Sequence, residues 1–168
     1  MRLIVTEKNS VGRSISSVVG AAKKHNGYFE GCGYIVSWCA GHLLEPAAPE
    51  LYDEKLKKWR YADLPIIPDK WKYMPIKGKD AQLKILTDLM KRPDVECVIN
   101  ACDAGREGEN IFRLVYQHAN CNKKTMRLWI SSLEPEAIKA GLEKLANGKD
   151  YDNLYAAASC RERALPLG

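Results

Sequence analysis

The chain has 168 residues, 46% of them apolar and 28% charged, with a formal net charge of +5. That balance describes one ordinary domain with a packed core and excludes a disordered or low-complexity chain. No apolar run reaches the length of a bilayer-spanning helix, and the opening Met1-Arg2-Leu3-Ile4-Val5-Thr6-Glu7 turns polar too soon for a signal peptide.

Leu3-Ile4-Val5 reads as a buried strand whose C-terminal end presents Glu7. A helix is expected from Ser10 to Lys24, with Val11, Ile15, Val18 and Val19 at helical spacing and Ser10 available as a cap. Residues 33–40 form a second predicted strand, closed by Gly41-His42. From Leu44 to Lys79 the periodicity dissolves, because Pro46, Pro49, Pro65, Pro68 and Pro75 break any long element. Trp59, Tyr61, Trp71 and Tyr73 in the same stretch favour an ordered excursion packed through its aromatics over a disordered linker.

Helical spacing resumes from Asp80 to Arg92, with Leu83, Leu86, Leu89 and Met90 on one face. A strand over Glu96–Cys102 then runs into Asp103. The turn Ala104-Gly105-Arg106-Glu107-Gly108-Glu109 leads into a helix through Ile111, Phe112, Leu114 and Val115. A further strand is predicted over Arg127–Ser131. A helix follows from Pro135, with Ile138, Leu142 and Leu145 facing inward, and a last helix runs from about Tyr151 to Ala164. Trp38 and Trp129 are assigned to the core, and His25 and His118 to the surface. Strands alternating with helices give an α/β fold, a parallel sheet covered on both faces, whose ligands bind beyond the carboxyl ends of the strands.

Two of those strands end on acids, Glu7 and Asp103. A further carboxylate, Glu107, lies four residues after Asp103 across a Gly-containing turn. Three carboxylates in a small volume repel one another unless a cation or protons neutralise them, and an oxygen-only donor set favours Mg2+. Glu109 is read instead as a complement to the helix dipole. Arg106 either orients a phosphate or pairs with a neighbouring acid, and His42 either approaches the site or packs at its strand end. Cys32, Cys39, Cys97, Cys102, Cys121 and Cys160 include no Cys-x-x-Cys pair and no zinc-like spacing to a His, so free thiols in a reducing cytosol are expected. The charge permits a polyanionic partner without requiring one.

Three strings carry a resemblance: Thr6-Glu7-Lys8-x-Ser10-Val11, Gly41-His42-Leu43-Leu44-Glu45, and Asn100-Ala101-Cys102-Asp103-Ala104-Gly105-Arg106-Glu107-Gly108-Glu109. Together, and in this order, they resemble the Toprim domain of bacterial type IA DNA topoisomerases, nearest the topoisomerase III branch. Arg127-Leu128-Trp129-Ile130-Ser131-Ser132 and the stretch Leu154–Ala164 extend the likeness over nearly the whole chain. The resemblance implies a Rossmann-like Toprim fold of about four parallel strands flanked by helices, occupying residues 1–164 with the irregular insertion at 44–79. It also implies a part in breaking and rejoining one DNA strand in a bacterial cytoplasm, on the nucleoid. Glu7 matches a general acid for the departing 3′ oxygen, and Lys8 matches a stabiliser of the phosphate charge. Asp103 and Glu107, with Glu7, match acids around Mg2+, and Arg106 matches a residue that positions the scissile region. Arg161, Arg163 and His42 fall near the family's DNA groove, and the partners implied are single-stranded DNA and further topoisomerase domains.

Two departures qualify the likeness. The family's Asp-x-Asp-x-Glu pattern has Gly105 at its middle acid here, which weakens metal affinity and argues against two metals. The chain also closes on Leu165-Pro166-Leu167-Gly168 where the family continues through an Asp-Trp stretch, and none of its eight tyrosines matches the family's nucleophile. The expectation is a fragment that does not relax DNA alone. A Toprim nuclease or primase, or a non-catalytic module that binds DNA or protein, is the alternative.

Overall fold

In a computed structural model, which describes residues 1–58, 60–63 and 66–164, the chain opens with β1 (Arg2–Thr6) and α1 (Asn9–Val19). β2 (Lys23–His25), β3 (Tyr28–Gly31) and β4 (Tyr34–Trp38) follow, and a small pair, β5 (Leu44–Pro46) and β6 (Tyr73–Pro75), brackets an excursion of short 3-10 helices. Then come α2 (Asp80–Lys91), β7 (Cys97–Ala101), α3 (Arg106–His118), β8 (Lys124–Arg127), α4 (Pro135–Glu143), β9 (Ala146–Asn147) and α5 (Asp152–Ala164).

The main sheet has the order β2-β3-β4-β1-β7-β8-β9. Its central four strands, β4, β1, β7 and β8, are parallel, as expected, and antiparallel strands add three more at the edges. Alternation along β1 divides the core. Leu3 and Val5 face α2 and α3 with Leu86, Met90, Ile111 and Phe112, whereas Ile4 faces α1 and α4 with Ile15, Val36, Ile99 and Ile138. The chain leaves β1 toward β4 on one side and later returns to β7 on the other. The sheet therefore changes direction at the β1/β7 seam, where such sheets open a crevice beyond their carboxyl ends.

Four sequence expectations are corrected. The first helix stops at Val19 rather than Lys24, because Gly20 takes the left-handed conformation (φ 76°) and its N–H bonds to the Ser16 carbonyl. Lys23–His25 then pairs as an edge strand, and Ser10 is not the cap: Lys8 precedes the helix and supplies no side-chain bond. The strand expected over Arg127–Ser131 lies earlier, at Lys124–Arg127; Leu128 and Ile130 instead pack against Gly141 of α4, where an added Cβ would stand 2.7 Å from each. Trp129 is 46% exposed and stacks on Tyr151, so it is not core, while Trp38 is half-buried.

The 44–79 excursion is ordered through part of its aromatic set. The Tyr52 hydroxyl accepts from the Lys72 N–H at 2.7 Å, and Tyr73 donates to Glu162 at 3.1 Å, whereas Tyr61 is exposed. Trp59, Pro65 and the tail 165–168 lie outside the described residues.

Candidate active site

β1 and β7 are hydrogen-bonded neighbours with Thr6 opposite Ala101, so the residues just beyond them, Glu7-Lys8 and Cys102-Asp103, emerge side by side. Lys8 Nζ donates to Asp103 Oδ2 at 3.2 Å. Both side chains are well exposed, and the Asp103 contact holds the Lys8 ammonium above its ordinary pKa. Glu7 is half-buried. Burial first, then the Asp103 and Glu107 carboxylates, raise its pKa above the usual glutamate range, against the opposing pull of Lys8 and His42. Glu107, at the start of α3, meets His42 Nε2 at 3.1 Å.

The structure thus gathers Glu7, Lys8, His42, Asp103 and Glu107 at one strand seam. Of the two roles left open for His42, it takes the one beside the acids. The carboxylates do not converge bare on one point, since Asp103 leans on Lys8 and Glu107 on His42. Among the described residues no group of three acid, His or Cys side chains stands ready-made around a metal. The donor set nonetheless fits Mg2+: it is carboxylate oxygen, and Asp103 and Glu107 are exposed enough to leave coordinated waters in place.

What fixes the Asp103 turn is a buried ionic network that sequence reasoning missed. Arg127 is 1% exposed at the end of β8. Its Nη1 donates to the Cys102 carbonyl at 2.7 Å and to Asn100 O and Oδ1 at 3.1 and 3.0 Å, and its Nη2 donates to the Asp103 carbonyl at 3.0 Å. Glu109, also 1% exposed, supplies the compensating charge. Arg127 Nε lies 3.3 Å from Glu109 Oε2, but off the N–H direction, so this contact is ionic and not a hydrogen bond. Glu109 further accepts from Asn100 Nδ2 and Arg113 Nε, both at 2.9 Å. Burial lowers the Arg127 pKa from its usual value. Dipole compensation is therefore the lesser role of Glu109; the Glu109-to-Arg113 spacing of four was the sequence signal for the pairing.

Gly108 completes the turn. A Cβ there would stand 2.1 Å from the Asp103 carbonyl oxygen, so only glycine lets α3 start this close beneath Asp103. Gly105, at φ 143°, opens the helix from a conformation that side chains disfavour.

Beside the acids, a cavity of about 400 Å³ between α3 and α5 is bordered by His42, Arg106, Glu107, Asn110 and Arg161. Asn110 is 4% exposed and its Oδ1 has no hydrogen-bond partner among the described residues. Arg106 has an exposed side chain at that cavity, as does Arg161. Arg163 turns away: its guanidinium lies 5.6 Å from the Trp71 ring centroid, against the excursion. The six cysteines are free thiols.

A family model described as Toprim domain matches residues 2–133. The DNA topoisomerase 3 of Staphylococcus saprophyticus is 46% identical over 162 residues, covering 96% of this chain and 23% of that protein. The DNA topoisomerase 3 of Bacillus subtilis is 45% identical over 162 residues, covering 96% of this chain and 22% of that protein. The chain thus spans less than a quarter of the length of the curated relatives it matches. The structure of full-length topoisomerase I from Thermotoga maritima superposes with a TM-score of 0.57 at 21% identity, over 86% of this chain and 21% of that one, a likeness of fold. No helix among the described residues is long and apolar enough to cross a membrane.

Proposed function

The chain belongs to the Toprim domain family, and from that premise we propose that it is the acid–base and metal-binding part of a type IA DNA topoisomerase of the topoisomerase III kind. In this reading it acts in a bacterial cytoplasm, on single-stranded DNA, together with domains that supply the nucleophilic tyrosine.

The observation that carries the proposal is the setting of Glu7: half-buried, pushed toward its protonated form by burial and two carboxylates, with Lys8 alongside. In the cleavage step the tyrosine oxygen of a partner domain, its proton lost to solvent, bonds to the scissile phosphorus while the bond from phosphorus to the 3′ oxygen breaks. Neutral Glu7 gives its proton to that departing oxygen, and in the reverse step the Glu7 carboxylate takes the proton back from the 3′ hydroxyl. A pKa raised above the usual glutamate range makes the proton-donating form easier to hold than in an ordinary, solvated carboxyl. Lys8 places a compact positive charge where the phosphate accumulates negative charge. Arg106 and Arg161, at the adjoining cavity, bind neighbouring phosphates, with His42 as a further DNA contact, whereas Arg163 stays against Trp71. Asp103 and Glu107, with Glu7, would hold Mg2+, which supplies a positive charge beside the phosphate and favours rejoining. Gly105 leaves one carboxylate fewer than the family pattern, so a single, weakly held ion is expected.

The test is a chimera in which this chain replaces the matching segment of the Bacillus subtilis DNA topoisomerase 3. The chimera should form a covalent tyrosine–DNA complex, and Glu7→Gln within it should suppress that complex while leaving the fold intact. Equal cleavage with and without Glu7 would remove its proton-transfer role.

A further inference from the structure

On the opposite face of the sheet from the Arg106/Arg161 cavity, a second cavity of about 460 Å³ is bordered by Asn9, Arg13, Lys24, His25, Phe29 and Trp38. Phe29 and Trp38 belong to the α1 face: Phe29 packs with Val36 and Ile15, and Trp38 lies against Gly12, where a Cβ would stand 3.3 Å from its ring. The two rings contact each other with centroids 5.8 Å apart at 48° and remain half-exposed. Arg13 and Lys24 are exposed, and among the described residues neither is paired with a carboxylate. His25 stacks on Tyr28, and the acid beside it, Glu30, lies 3.7 Å from His25 Nε2 and is paired with Arg92 at 3.2 Å, so the charges of Arg13 and Lys24 are left uncompensated. Asn9 Oδ1 is a buried atom with no hydrogen-bond partner among the described residues, and His25 Nε2, also buried, has only its 3.7 Å ionic contact with Glu30. Buried polar atoms left unpaired beside a cavity mark a place where a ligand's donors and acceptors complete the set.

We propose that this groove is a second single-stranded DNA subsite, in which one base stacks on the Phe29/Trp38 pair while Arg13 and Lys24 hold the flanking phosphates. The combination of aromatic platform and unpaired cations is the one that binds single strands without reading sequence. Its position suits the strand proposed above. Asn9 directly follows Lys8, so DNA crossing the Glu7 seam from the Arg161 side leaves it toward this groove. The inference rests on the DNA-cleavage reading of the Glu7 site and adds to it where the strand goes on the far side of the scissile phosphate.

The experiment uses the 168-residue chain and a fluorescent oligothymidylate of about 12 nucleotides, within the span usual for one small domain. The double variant Arg13→Glu/Lys24→Glu should bind about tenfold more weakly and lower the salt slope by about two. Its thermal midpoint should not change, because both side chains are exposed. An oligomer carrying 5-iododeoxyuridine should cross-link on irradiation to peptides containing Phe29 or Trp38. If the double variant binds like the parent while Arg161→Glu weakens binding, the groove is overturned and the reading of the Glu7 site stands. If the parent does not bind the oligomer, both are overturned. Cross-links confined to peptides of α5 would also overturn the groove.

Discussion

Arg127 Nη2 lies 3.0 Å from the main-chain carbonyl oxygen of Asp103, reaching it from the end of the neighbouring strand. The same guanidinium holds the carbonyls of Asn100 and Cys102, so one buried side chain fixes the backbone from which the Asp103 carboxylate projects. Arg127 acts through position, since its charge is already met by Glu109. Arg127→Lys keeps that charge but has no planar fork to serve these acceptors at once. It should cost about 3 kcal/mol, the scale for leaving buried carbonyls without a donor, and should also weaken Mg2+ binding at a site it does not touch. Denaturant unfolding and a magnesium titration of the same variant measure both. An unchanged unfolding midpoint would contradict the positioning role.

Gly108 makes a sharper steric prediction. Its Cβ position is 2.1 Å from Asp103 O and 3.0 Å from Asp103 C, and neither backbone atom can swing aside as a side-chain tip can. Gly108→Ala should therefore cost about 3 kcal/mol, at the upper end for overpacking, despite the better helix propensity of alanine. Gly33→Ala is a useful contrast: no atom lies near its Cβ, so its cost comes from the left-handed φ of 80° alone and should be about 1 kcal/mol. Equal losses at the two glycines would rule out the close approach of α3 to Asp103.

The raised pKa of Glu7 has a definite sign in stability. A carboxyl whose folded pKa exceeds its unfolded value binds its proton more tightly when folded. The resulting stabilisation is complete below the ordinary glutamate range and is lost as pH rises through the raised value. Ionised Glu7 is thus unfavourable to the fold at neutral pH. Glu7→Gln should raise the thermal midpoint there by about 1 °C, a modest shift because Glu7 is only half-buried. The difference should shrink as pH falls below about 4. A variant less stable than the parent at neutral pH would show that Glu7 is held by favourable partners as an anion.

Arg161 and Arg163 should separate cleanly. Arg161 borders the cavity beside Arg106, so Arg161→Ala should weaken single-stranded DNA binding and lower the salt slope by about one, with no loss of stability. Arg163 lies over Trp71, so Arg163→Ala should cost about 1 kcal/mol of stability and change DNA binding less. The reverse pattern would exchange their roles.

Much of this was legible in the residues. Two short apolar runs, Leu3-Ile4-Val5 and Val98-Ile99, stop at acids, and a parallel α/β sheet sends such ends to one edge. That logic found Glu7 and Asp103 as neighbours. It did not find the β2–β3 hairpin. Lys23 and Lys24 are good helix formers and no apolar alternation marks an exposed edge strand, although Gly20, Gly27 and Gly31, all at positive φ, punctuated the stretch. It misplaced β8, because the apolar residues Leu128, buried, and Ile130, half-buried, are covered by α4 and not by strand pairing. Nor did it see the Arg127–Glu109 pair. A buried ion pair looks like two surface charges in the sequence, and these partners are brought together only by the parallel pairing of β7 with β8, which sets Arg127 beside Asn100 and Glu109.

The central claim is that the ends of β1 and β7 bring Glu7, Asp103 and Glu107 into one coupled, cation-binding site. Carboxyl carbon NMR of the three side chains, followed against pH with and without Mg2+, measures it most directly. The account predicts that Glu7 titrates above the ordinary glutamate range. It also predicts that magnesium up to about 10 mM, the range of weakly chelating sites, shifts all three signals and moves the Glu7 titration downward. A Glu7 carboxyl titrating at the ordinary value, with all three signals indifferent to magnesium, would contradict it.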